Sequence, residues 1–100
     1  MLAAAELAES RRAKRRGLTG RDAVEGALVL QRCRSVHTFG MRFPIDVAFC
    51  DRAGRVVYTA TMRPRRVSKV VRRSAFVIEG QAGCLDRWGL RVGDEVEVRA

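Results

Sequence analysis

The stretch from Pro44 to Met62 constrains the fold more than any other part of this chain. Ile45, Val47 and Phe49 alternate with Asp46, Ala48 and Cys50, the period of two that belongs to a strand. Asp51-Arg52-Ala53-Gly54 follows as a turn, with Gly54 suited to the left-handed position that closes a hairpin. The return strand, Arg55 to Met62, is rich in β-branched residues, and Pro64 ends it. A lone hairpin is marginal in water, so the rest of the chain must supply sheet neighbours and a cover.

Other segments fit that demand. Ala27–Gln31 is a short apolar run, too short for a helix and right for a buried strand. Ala75–Glu79 reads as another strand, and Gln81–Trp88 as one or two helical turns closed by Gly89. After a Gly93-Asp94 turn, Glu95 to Arg99 alternates as an edge strand. Near the start, Leu2–Ala8 suits either a helix or a first strand, and Ser10 suits the N-cap of a short helix from Arg11 to Arg16 stopped by Gly17. Residues 19–26 read as a loop. The expected class is α+β, mainly β: a small barrel-like or strongly curved sheet of five to six short strands with one or two short helices. One hundred residues make one domain, 1–100, able to bury a core without disulfides or a structural metal.

Charge is the unusual part of the composition. Twenty basic residues face eleven acidic ones, a net charge of +9, and only Lys14 and Lys69 among the bases are lysines. Such a surplus attracts polyanions, with nucleic acid or an acidic protein as the expected partner classes. The bases concentrate in two segments: Arg11, Arg12, Arg15 and Arg16, then Arg63, Arg65, Arg66, Lys69, Arg72 and Arg73. Cys33, Cys50 and Cys84 form no C-x-x-C pair and imply no disulfide framework. Glu6 and Glu9 break the one stretch that resembles an export signal, and no apolar run is long enough to span a membrane, so a cytoplasmic location is expected.

Chemical motifs are sparse. Cys33, His37 and Met41, spaced four apart, carry soft ligand atoms, but a structural zinc site needs four ligands and the chain has a single histidine. No metal or cofactor is expected. Cys33 with His37 is also the sole thiol and imidazole pairing close in sequence, a weaker hint of hydrolytic or redox chemistry without a nucleophile signature around it. Asp46 and Glu79 are the two acids inside otherwise apolar strands. A carboxylate there must be bonded, because burying it unpaired is costly.

At residues 15–21, 37–49, 54–57 and 77–94 the sequence resembles a small bacterial and archaeal family, domain of unknown function 192. Arg16, Gly17, Leu18, Arg21, Met41, Ile45, Asp46, Gly54, Glu79, Gly83, Gly93 and Asp94 fill its pattern in order. The chain departs from it at His37-Thr38, where many relatives carry an aromatic residue and Met. The resemblance implies a β-rich domain whose chain start is a strand, with Arg16 and Arg21 as partners for the buried acids, and no established activity. The site expected from all this is a non-enzymatic binding site in the loop around Arg21, His37 and Met41, near Asp46 and Glu79. Polyanion binding through the two basic segments is the alternative. Asp46 itself is expected to be mostly buried and to accept hydrogen bonds from an arginine, from His37 or from N–H groups of residues 17–21.

Overall fold

The computed structural model describes residues 5–8, as backbone, and 27–96. Five strands and one short helix occur among them: β1 (Ala5–Ala8), β2 (Ala27–Gln31), β3 (Ile45–Cys50), β4 (Val56–Met62), β5 (Phe76–Gln81) and α1 (Cys84–Trp88). They form a single sheet ordered β1-β2-β5-β3-β4. From β2 through β5 and β3 to β4 each neighbouring pair is antiparallel, and β1 lies parallel to β2 at one edge. The first strand lies inside the ambiguous Leu2–Ala8 segment and makes its described part, Ala5–Ala8, extended chain. The expected basic helix at 11–16 lies outside the described residues.

The hairpin is formed as its alternation dictates. Ile45 pairs with Met62 and Phe49 with Tyr58, and Gly54 takes a φ of 86° in the turn. Asp51 secures that turn by accepting the N–H groups of Ala53 and Arg55 through Oδ1 at 3.0 and 2.9 Å. Residues 93–96 then return beside the hairpin, where Val96 N–H donates to the Gly54 carbonyl at 2.7 Å and the Arg55 and Glu95 backbones pair in an isolated antiparallel bridge. Of the expected last strand, residues 97–99 lie outside the described region. The sheet is open: no described pairing joins β1 to β4, so the expected barrel-like closure is not reached.

The central strand β3 is buried at every position, on both faces. Its large residues Ile45, Val47 and Phe49 join Leu28, Leu30 and Val77 in one apolar layer, roofed by Val36, Met41 and Val71 from the connections. The small residues Ala48 and Cys50 join Val29, Ile78 and Val56 in a second layer, covered by Cys84, Leu85 and Leu90 of the helical end. Size alternation along β3 therefore reflects two unequal covers. It does not mark a wet and a dry side. Gly80 makes the thinner cover possible, since a Cβ there would lie 2.5 Å from Cys84 Sγ and 3.0 Å from Trp88 Cη2. The helix begins after Gly83 and ends at Gly89, whose φ of 65° is the left-handed C-cap expected from the sequence.

Candidate nucleic-acid interface

Asp46 is 5% exposed, as its apolar neighbours demanded. Its partners are new. Oδ1 accepts the Thr61 hydroxyl at 2.7 Å, and Oδ2 accepts the N–H groups of Gly83 at 3.0 Å and Leu85 at 3.3 Å. Gly83 has no side chain to cap α1, so a carboxylate from the neighbouring strand satisfies the open N–H groups there. Neither His37 nor a described arginine takes part. Residues 17–21, the other expected donors, lie outside the described region.

Glu79 is 1% exposed and sits on the opposite face of the sheet. Asp46 pairs with Gly80 and Val47 with Glu79, and successive strand residues point to opposite sides. Glu79 therefore shares a face with Leu28 and Val47, and its Oε2 has no hydrogen-bond partner among the described residues. Burial pushes its pKa up from 4.5 to about 7. The two acids cannot act as a pair across one cleft.

The remaining expected site residues scatter as well. Met41 is buried in the first apolar layer. His37 is exposed, stacks on Phe39 with ring centroids 5.4 Å apart, and accepts the Phe39 N–H at Nδ1. Cys33 is buried and donates its S–H to the Ser35 carbonyl. Burial and the nearby Asp51 and Asp46 carboxylates push Cys50 and Cys84 up to about 12, far from a reactive thiolate. Arg21 is outside the described residues. The described members of the expected loop site do not gather in one place.

The structure does gather arginines. Arg32 and Arg34 after β2, Arg52 in the hairpin turn, and Arg72 and Arg73 before β5 line one open depression of about 900 Å³. Asp51 is the single acid among its lining residues, and its Oδ1 is engaged with the turn N–H groups. Arg63, Arg66 and Lys69 line a separate depression of about 440 Å³ with Tyr58, over whose ring Lys69 Nζ lies at 4.1 Å. The basic segment 63–73 is thus shared between two sites. Arg32, Arg34 and Arg52 escaped the sequence reading because they lie outside the dense basic runs, and the two segments that carry them meet only through the antiparallel order of the sheet. Arg32 and Arg65 are also the two non-glycine residues with positive φ among the described residues, at 51° and 62°. That conformation costs about 1–2 kcal/mol and is rarely adopted by a long side chain.

A mainly β domain with an open sheet, two covered faces and a basic loop surface is the class so defined. The chain belongs to the family domain of unknown function 192, described as Uncharacterized ACR, whose profile matches residues 2–98. Over 63 residues it is 38% identical to a UPF0127 protein of Pyrococcus abyssi and 35% identical to one of Pyrococcus horikoshii. Those matches cover 63% of this chain and 54–55% of each relative, so the chain spans about half their length. Two solved structures share the fold. One is a protein of unknown function from Novosphingobium aromaticivorans, with a TM-score of 0.77 and 21% identity, covering 91% of this chain and 71% of that one. The other, from Sinorhizobium meliloti, is described as a candidate transcription regulator, with a TM-score of 0.74 and 23% identity, covering 91% and 78%. No helix among the described residues is long and apolar enough to cross a membrane.

Proposed function

We propose that this chain is a non-enzymatic binding module for a polyanion, acting in the cytoplasm and carried on a strongly curved sheet. The observation that supports this best is the convergence of five arginines from three separate segments on one depression, whose described lining holds one acid, already engaged with the turn. Like charges held together repel, and such a cluster is tolerated most readily where an anion will occupy it. Arg32, which lines this depression, has a left-handed backbone, and that adds to the case, since stored strain concentrates at functional positions. Guanidinium groups suit phosphate particularly well, through two parallel N–H bonds.

The test is salt dependence. With about four phosphates neutralised, by Arg34, Arg52, Arg72 and Arg73, the logarithm of duplex affinity should fall against the logarithm of salt with a slope of about −3.6. An Arg72→Ala, Arg73→Ala double variant should flatten that slope by about 2. A full-length protein that binds no polyanion at micromolar concentration in low salt refutes the reading.

A further inference from the structure

Thr38 is fully buried between two exposed rings. Its hydroxyl donates to the Arg63 carbonyl at 2.6 Å and accepts the Arg66 N–H at 2.8 Å. Its own N–H donates to the Arg66 carbonyl at 2.8 Å, and its carbonyl accepts the Arg65 N–H at 3.1 Å. This one residue rivets residues 37–39 to the most basic loop of the domain. The neighbours of a side chain turned inward are left facing outward, and these are His37 and Phe39, stacked at an interplanar angle of 29°. Phe39, 52% exposed, is the one exposed residue among the six Phe, Tyr and Trp of the chain.

The aromatic pair is connected to the arginine depression by a ladder. Thr38 N–H donates to Arg66, Ser68 N–H to Val36, and Val71 N–H to Arg34, so residues 34–38 run antiparallel to 66–71. His37 and Phe39 stand at one end of this ladder, and Arg34 with Arg72 and Arg73 at the other. His37 and Phe39 lie three and five residues from Arg34 along the chain, which at the rise of an extended segment corresponds to about 10–16 Å. An exposed ring pair joined by one ladder to a cluster of cations is the kind of arrangement that single strands use, with bases on rings and phosphates on arginines. A duplex keeps its bases stacked internally and leaves an exposed ring without a partner.

We infer that the ligand class is single-stranded nucleic acid, with Phe39 and His37 as its base-stacking platform. This rests on the polyanion reading and narrows it. The experiment compares full-length wild type, Phe39→Ala, and Arg72→Ala with Arg73→Ala by fluorescence anisotropy. The probes are an oligo-U, an oligo-dT, a duplex of equal length, heparin and an anionic vesicle. Wild type should bind the single strands more tightly than the duplex at equal salt. Phe39→Ala should weaken single-strand binding about tenfold, and leave the duplex and heparin affinities and every salt slope unchanged. Phe39→Trp should retain binding. The arginine double variant should weaken binding to all polyanions. Phe39 is exposed, so the alanine variant keeps its fold, which circular dichroism checks. Equal loss of duplex and single-strand binding in Phe39→Ala, or no loss of either, overturns the platform and leaves polyanion binding standing. Preference for vesicles or heparin over every oligonucleotide also overturns it. Absence of binding to any probe in low salt removes both.

Discussion

Replacing Glu79 with glutamine tests the energetics of this fold most directly. The carboxylate is 1% exposed, packs among apolar side chains, and keeps one oxygen unpartnered among the described residues. Desolvation raises its pKa from 4.5 to about 7. The folded state therefore holds a proton between those two values that the unfolded chain has released. Stability falls as pH rises through that window, because the unfolded state binds fewer protons there. Below about pH 4.5 both states are protonated and the group costs nothing further. Above about 7 both are ionised and the whole penalty is present. A shift of this size corresponds to about 3 kcal/mol, about one-third of the stability of a typical small domain. Urea unfolding of wild type and Glu79→Gln across pH 5 to 8 should show the difference between them growing by roughly that amount, with the variant the more stable at the alkaline end. Subtracting the variant removes the titration of every other group. Parallel pH profiles for the two proteins refute the argument, and mean that the carboxylate is charged and paired at all these pH values.

Two further substitutions test the packing of the helical end. Asp46→Ala strips acceptors from the Gly83 and Leu85 N–H groups and from Thr61, and should lower unfolding stability by about 2–4 kcal/mol. Asp46→Asn, which keeps one acceptor, should cost about 1–2 kcal/mol, and equal melting of Asp46→Ala and wild type would show that the cap is idle. Gly80→Ala drives a methyl group against Cys84 Sγ and Trp88, and should cost about 1–3 kcal/mol while changing Trp88 fluorescence. Unchanged emission and unchanged stability would mean that α1 does not rest on β5 as described.

The strands were legible because their cues are local. Ala27–Gln31 is bounded as the apolar run suggested, and the hairpin follows its alternation and its Asp-x-x-Gly turn. The burial of Asp46 was legible too, since Ala48 and Cys50 beside it gave no sign of a wet face. Its partners were not, because Gly83 and Leu85 lie thirty-seven and thirty-nine positions away and offer only backbone N–H groups. Backbone donors carry no signature in a sequence. Glu79 misled for a related reason: two acids in strands look like a pair until the register places them on opposite faces. Thr38 was passed over as a departure from the family pattern between more reactive neighbours. Its importance lies in being buried where the residues around it are exposed, which depends on a loop twenty-five to twenty-eight positions away.

The burial pattern also decides where function can reside. Every residue of β3 is buried, and both sheet faces have covers, so the centre of the sheet offers no accessible side chain. Buried carboxylates on such a sheet serve its packing: Asp46 holds the helical cover down, and Glu79 is carried at an energetic cost. Among the described residues the most basic exposed surface is the rim, made of the connections after β2, within the β3–β4 turn and between β4 and β5. Arg32, Arg34, Arg52, Arg63, Arg65, Arg66, Lys69, Arg72 and Arg73 all lie on those connections, and all are exposed. A change confined to the rim should therefore alter binding with little effect on folding, whereas a change at Asp46, Glu79 or Gly80 should alter folding first. Measuring unfolding stability and oligonucleotide affinity on the same panel separates the two groups. A rim arginine whose loss unfolds the domain would place that side chain in the architecture and remove it from the ligand surface.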